Sequence, residues 1–196
     1  REKHLDAMNV KCQYEFSKEY GMVACVPMSA LAELGVVSSC EGDTLCTVTM
    51  AMLHLLPGQT VTYGDAMDHR DGVVKLSSCG FIPFSLGREE EREIRRFMPH
   101  PGFKGIQPSF VPRPGPVTCM RLIEDRCDYH LLYFTGEGLE TERRQGYMPA
   151  LDVRVNGSID KLVRSYAGQH FAICYGDRSA EVEDLALCLG IPTVRA

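Results

Sequence analysis

This 196-residue chain has no tryptophan, no surplus of positive charge, no long apolar run and no paired-cysteine motif. Each absence closes off a class of function. With 21 Lys and Arg against 26 Asp and Glu, a net charge of −5, there is no basic excess to neutralise phosphates, so nucleic acid is excluded as a partner. No stretch reaches the roughly 20 apolar residues that a membrane-spanning helix needs. Nine cysteines are present, at positions 12, 25, 40, 46, 79, 119, 127, 174 and 188, but no two form a CxxC pair. Zinc ribbons, paired knuckles and thioredoxin-like redox motifs are therefore absent. An odd number of thiols, set in apolar stretches such as Phe171-Ala172-Ile173-Cys174, reads as reduced core filler in a cytoplasmic protein.

What is present is ordinary globular material. The apolar share is 44% and the charged share 24%, which rules out disorder as a global description. Against a usual domain of about 150 residues, the length allows one large domain or a domain plus a piece of another. The chain opens on Arg1-Glu2-Lys3-His4. This is too charged for a secretory leader and lacks an initiating Met, so we expect a segment cut from a longer polypeptide.

The first 56 residues read as alternating strand and helix. A short strand over 9–13 is followed by a polar helical turn over Phe16–Tyr20, ended by Gly21. Met22–Val26 reads as a second strand, Pro27 opens a helix to Leu34, and Val36–Cys40 is a third strand. A strongly apolar helix over Thr44–Leu56 follows, with Asp43 as its N-cap. After residue 57 the texture changes to short β-rich segments between Gly/Pro turns, closing with helices over Ser158–Ala167 and Ser179–Leu189. The expected class is α+β. A β-rich, barrel-like C-terminal domain with flanking helices (57–196) follows the tail of an α/β, Rossmann-like domain (1–56). The charge run Arg88 to Arg96 reads as a solvated helical turn.

Three side chains stand out for chemistry. Glu41 follows an apolar strand and precedes Gly42 and a helix N-cap, at the strand end where open α/β sheets bind ligands. The plainer reading is that it complements the helix dipole, worth about 0.3–1 kcal/mol. Asp65, Asp68 and Asp71 are spaced by three, which excludes an EF-hand loop. Asp71-Gly72 is better placed in a hairpin turn, with Asp65 left at a strand end as a possible ligand. His170 opens an apolar strand, as either a structural histidine or a ligand. His54, His100 and His130 rank lower. Cys79, in Ser78-Cys79-Gly80, has no neighbouring His to support a nucleophilic role. Two carboxylates and an imidazole suit Mn²⁺ or a similar divalent metal, with positions left open for two substrate oxygens. Spacing alone does not show whether the three converge.

The order of motifs resembles the L-fucose isomerase family. The matching pieces are Val36-Val37-Ser38-Ser39-Cys40-Glu41-Gly42-Asp43 before an apolar helix, Tyr63-Gly64-Asp65, Ser78-Cys79-Gly80-Phe81-Ile82-Pro83, Pro112-Arg113-Pro114-Gly115-Pro116-Val117-Thr118, and His170-Phe171-Ala172-Ile173-Cys174-Tyr175-Gly176-Asp177. The resemblance implies the C-terminal portion of an oligomeric, Mn²⁺-using aldose–ketose isomerase acting on a small sugar. It makes Glu41, Asp65 and His170 the metal ligands, with Glu41 and Asp65 also shuttling a proton between C1 and C2 through a cis-enediol. Burial in a partly dry site is expected to raise these carboxylates toward working pH. The chain has Ser78 where many relatives have His, and it has no stacking Trp, so the choice of sugar stays open. Alternatives are a non-catalytic sugar-binding or assembly module on the same fold, and a metal-assisted hydrolase.

Overall fold

Two eleven-residue strands, β7 (Gly115–Asp125) and β8 (Asp128–Gly138), form the long hairpin on which the rest is built. The computed structural model describes residues 5–12, 14–56, 58–97, 102–143 and 148–196. The main sheet has seven strands in the order β11, β8, β7, β10, β3, β4, β9. The others are β3 (Thr62–Arg70), β4 (Val73–Ser77), β9 (Ala150–Val155), β10 (His170–Tyr175) and β11 (Thr193–Arg195). All pairings are antiparallel except β11 on β8, and β9 also pairs with β8 over Gly136–Gly138, so the β9 edge turns back onto the strand beside β11.

Side chains alternate across this sheet, as a strand's period of two requires. On one face Val117, Cys119, Leu132, Phe134, Phe171 and Ile173 pack with Val74, Leu76, Leu151 and Val153. On the other, Met120, Leu122, Leu131, Tyr133, Ala172 and Cys174 meet the helices. The central one is α3 (Thr44–Leu55), which lies over β10 and β7. It is pinned there by Thr49, whose hydroxyl accepts the Leu122 backbone N–H at 2.9 Å. Asp43 caps it through Oδ1, 2.8 Å from the Cys46 amide. A two-stranded parallel sheet, β1 (Ala7–Val10) on β2 (Val37–Cys40), is linked through α1 (Glu15–Tyr20) and α2 (Cys25–Glu33). The core continues without a break from these elements into the main sheet. The remaining elements are β5 (Ile94–Arg96) paired with β6 (Ile106–Pro108), α4 (Ile159–Ser165) and α5 (Ser179–Leu189).

Three expectations need correction. Met22–Val26 is not a strand, because α2 starts at Cys25. Pro27 sits within its first turn, where no N–H is required. The charged run forms only a short 3₁₀ turn, Glu89–Glu91, before β5. Asp65 lies inside β3 rather than at its end, because the strand runs on to Arg70 before the Asp71-Gly72 turn. Among the described residues, the first 56 contribute a two-stranded parallel sheet and three helices. Among the described residues no helix is long and apolar enough to cross a membrane, and all nine cysteines are free.

Candidate metal centre

Antiparallel pairing places His170 of β10 directly opposite Asp65 of β3. Directly opposed residues share a face, here the face covered by α3. Strand register alone thus brings two of the three selected side chains together. Tyr63, two residues before Asp65, sets its ring perpendicular to His170 at 5.2 Å and stacks on Phe81 at 5.6 Å. The imidazole thus packs edge-to-face with the Tyr63 ring.

The third side chain arrives on the turn between β2 and α3. Glu41 has φ of 70°, in the left-handed region, and Gly42 follows at 79°. A residue with a Cβ pays of order 1 kcal/mol to stay there, so the surroundings must hold the turn. Asn9 of β1 does so. Its Oδ1 accepts the Gly42 amide at 2.9 Å, and its Nδ2 donates to Ser39 Oγ at 2.6 Å and Thr47 Oγ1 at 2.8 Å. The result points Glu41 at His170. Nε2 lies 3.1 Å from Glu41 Oε2 and 2.9 Å from Asp65 Oδ1. The ligand atoms of Glu41, Asp65 and His170 all lie within 4.8 Å of one another.

Asp43 is a site residue that the sequence reading treated only as a cap. It does both jobs: while Oδ1 caps α3, Oδ2 faces His170 Nδ1 at 2.8 Å and Arg121 Nη1 at 2.9 Å. Arg121, buried on β7, also donates from Nη1 to the His170 carbonyl at 2.8 Å and from Nε to the Ala167 carbonyl at 3.1 Å. A carboxylate behind the imidazole fixes the ring's orientation and leaves Nε2 to face the ligand.

The charges settle accordingly. Burial alone would lower His170, but the carboxylates of Asp43, Asp65 and Glu41 around it push it up to about 11. Burial would raise Glu41, yet hydrogen bonds from His170 and Cys79 hold it below its ordinary value. The expectation of a raised carboxylate is therefore reversed for Glu41, because an imidazolium faces it. Burial of Asp43 is likewise outweighed by His170, the Cys46 amide and Arg121, which keep it well below the carboxylate range.

This arrangement fits a divalent cation. Cis donors about 2.1 Å from an octahedral ion are about 3.0 Å apart, matching the 3.1 and 2.9 Å seen here. Asp65 Oδ1 is buried without a hydrogen bond of its own. Nε2 carries one hydrogen at most, and Glu41 takes it. A cation replacing that single proton would satisfy all three donors at once.

The other sequence candidates go elsewhere. His54 bonds to the Gln59 carbonyl at 2.7 Å, His130 sits on β8, and Asp68 and Asp71 are exposed. His100 lies outside the described residues. The hydroxyl of Ser78 is spent on the Phe81 carbonyl. Cys79, by contrast, lies against Glu41, and its sulfur is 4.0 Å from that of Cys40. Thiol–thiol interactions link Cys12 to Cys25 and Cys40, and Cys79 to the same two. The thiols are not uniformly dispersed filler: four of them converge beside the centre.

No family model matches the chain. It is similar to proteins named sulfoquinovose isomerase. The one from Alkalicoccus urumqiensis is 28% identical over 200 residues, covering 98% of this chain and 45% of the relative. Those from Priestia aryabhattai and Priestia megaterium are 29% identical over 198 residues, covering 97% of this chain and 44% of the relative. The chain therefore spans less than half the length of the curated relatives it matches.

Proposed function

We propose that this chain is the C-terminal part of a metal-dependent aldose–ketose sugar isomerase with an L-fucose isomerase-like scaffold. On this reading residues 1–56 close an α/β domain and residues 57–196 form a barrel-like C-terminal domain. The pairing of β9 with β8 supports the second assignment. The observation that carries the functional reading is the convergence of Glu41, Asp65 and His170, drawn from three separate segments, within 4.8 Å.

Glu41, Asp65 and His170 would hold the metal, Mn²⁺ or a similar divalent ion, which when bound would supply electrostatic stabilisation of enediolate charge. Isomerisation needs a proton taken from one carbon and returned to its neighbour. Glu41 and Asp65, 3.1 and 2.9 Å from His170 Nε2, are the carboxylates placed to carry it through a cis-enediol. Asp43 and Arg121 keep the imidazole turned with Nε2 toward the centre. The names of the relatives put sulfoquinovose first among sugars to be tested. The remaining walls of the site would come from the rest of the polypeptide and from neighbouring subunits of a homo-oligomer.

The test is an isomerase assay on the complete polypeptide with Mn²⁺ and a panel of sulfoquinovose, fucose and arabinose. Aldose–ketose interconversion is expected, and residues 1–196 alone are expected to be inactive. Turnover left intact by Glu41→Gln would refute the mechanism, and a hydrolysed product would point to a hydrolase instead. One observation favours a second reading, a non-catalytic module. His170 and Arg121 pair with Glu41, Asp43 and Asp65, an arrangement that an ion network alone also accounts for. Failure of Mn²⁺ to bind would select that reading.

A further inference from the structure

Beside the centre, on the other side of Glu41, lies a second set of donors with different chemistry. The sulfurs of Cys40 and Cys79 and a carboxylate oxygen of Glu41 all lie within 4.8 Å of one another. Cys40 ends β2 and immediately precedes Glu41, while Cys79 follows β4, so the two thiols come from separate segments. Cys12 and Cys25 stand behind them, each interacting with Cys40 or Cys79. The packing here is tight: a Cβ on Gly80 would sit 2.9 Å from Cys25 Sγ and 3.3 Å from Gln107 Cβ, so a side chain there would push the sulfur aside.

From this geometry we propose that Cys40, Cys79 and Glu41 form a second metal site, for a thiophilic cation such as Zn²⁺ or Cd²⁺, that shares Glu41 with the oxygen-and-imidazole centre. Metal–sulfur bonds of about 2.3 Å span the observed 4.0 Å separation at an S–metal–S angle of about 120°, close to tetrahedral. Thiolates select soft or borderline ions, whereas Glu41, Asp65 and His170 accept harder ones. Once an ion has displaced the protons of Cys40 and Cys79, the neighbouring thiols of Cys12 and Cys25 can turn their S–H groups toward the metal-bound sulfurs, the supporting contacts such sites require. Cys40 is buried and Cys79 only partly so, which leaves the Cys79 side open for an ion to enter. Because Glu41 serves both sets, a thiophilic ion draws it from the first centre and antagonises Mn²⁺. That last consequence rests on the isomerase reading; the binding itself does not.

The experiment uses the full polypeptide, reduced and metal-free, with the exposed Cys127 and Cys188 changed to Ser. Titration with Cd²⁺ is followed by the ultraviolet thiolate-to-metal charge-transfer band, and Co²⁺ by its visible bands. One equivalent should give the thiolate band and the intense visible spectrum of tetrahedral cobalt. Cys79→Ser should weaken Cd²⁺ binding by at least about tenfold, and Asp65→Asn should leave the thiolate band in place. Absence of a thiolate band in the Cys127→Ser/Cys188→Ser parent, or only the weak spectrum of octahedral cobalt, would overturn the proposal without any variant of the buried thiols. Asp65→Asn separates the two readings. If it removes Mn²⁺ binding and isomerisation but keeps the thiolate band, both stand. If the thiolate band appears while wild-type protein neither binds Mn²⁺ nor isomerises sugar, only the isomerase reading falls.

Discussion

Two donor clusters meet at one peptide. On one side of the Cys40–Glu41 junction lie oxygen and nitrogen donors that are ionised, closely paired and held in a network of opposite charges. On the other lie four sulfurs, and burial together with donation to Cys12 and Cys79 pushes the Cys40 thiol up. The first cluster is short of one cation, which a proton on His170 replaces. The second must give up protons before it can bind anything. On the proposed reading both sites release protons to take an ion, the first from the His170 imidazolium and the second from buried thiols, and their donors select harder and softer metals respectively.

The comparison breaks most completely at Glu41, the residue both clusters share. Glu41→Gln should lower turnover of the complete enzyme by about 10²–10⁴-fold, the usual range for loss of an acid–base group, and should weaken both Mn²⁺ and Cd²⁺. If only one metal responds, the clusters do not share this side chain. Asp43→Asn comes next and acts on the hard side alone. It should weaken Mn²⁺ by about 10- to 100-fold through the loosened imidazole and leave Cd²⁺ affinity unchanged. The amide can still cap α3, but the buried Arg121 and His170 lose their carboxylate partner, so thermal unfolding of the metal-free protein should show a loss larger than the roughly 1 kcal/mol of a cap alone.

The legibility of the two clusters differs in the same way. Glu41 stood out because an acid between an apolar strand and a helix cap is a local pattern, and the Asp71-Gly72 turn fixed the hairpin that carries Asp65. The pairing of Asp65 with His170 depends on β3 and β10 lying side by side, more than a hundred residues apart in the chain, and no local spacing encodes that. Asp43 was recognised for its cap and missed for its second oxygen. The thiol cluster was invisible for a related reason: Cys12, Cys25, Cys40 and Cys79 come from four elements, and the test applied to them, the CxxC pair, detects only ligands that are neighbours in sequence. The main sheet was read segment by segment, but the direct β8–β9 pairing that turns its β9 edge back is a long-range property.

The pH response should sharpen the contrast further. His170 has its folded-state value raised from 6.5 to about 11. Its stabilisation of the metal-free protein is therefore complete below pH 6.5 and is lost progressively as pH rises toward 11. Glu41 and Asp43 are shifted down from 4.5 and 3.8, so their contribution is present above those values and fades as pH falls below them. Metal-free protein should be most stable between about pH 4.5 and 6.5 on these groups. If His170 ligates Mn²⁺, binding displaces its proton, and the difference in melting temperature between Mn²⁺-loaded and chelated protein should grow from pH 6.5 to 9. Calorimetry in buffers of different ionisation enthalpy should register release of about one proton per Mn²⁺ near neutrality. A metal effect independent of pH over that range would show that His170 is not a ligand.

The smallest effect belongs to a thiol outside both clusters. Cys127 is exposed and occupies the second position of the two-residue turn between β7 and β8, where Arg126 has φ of 51° and Cys127 of 75°. Two consecutive left-handed residues are what a type I′ hairpin needs, and the turn between β3 and β4 meets that need with Asp71-Gly72 at 51° and 80°. The β7–β8 turn meets it with two residues that each carry a Cβ, at a cost of about 1–2 kcal/mol per residue. Cys127→Gly relieves half of this but gives the unfolded chain more freedom, so the net gain should be a few tenths to about 1 kcal/mol, or about 1–3 °C in melting temperature. Neither Mn²⁺ nor Cd²⁺ binding should change. A gain in stability with unchanged metal binding would confirm that this sulfur takes no part in the chemistry and that the hairpin's twist is imposed by the long β7–β8 ladder rather than by its turn residues. A loss of Cd²⁺ affinity would mean that an exposed thiol had been competing with the buried cluster all along.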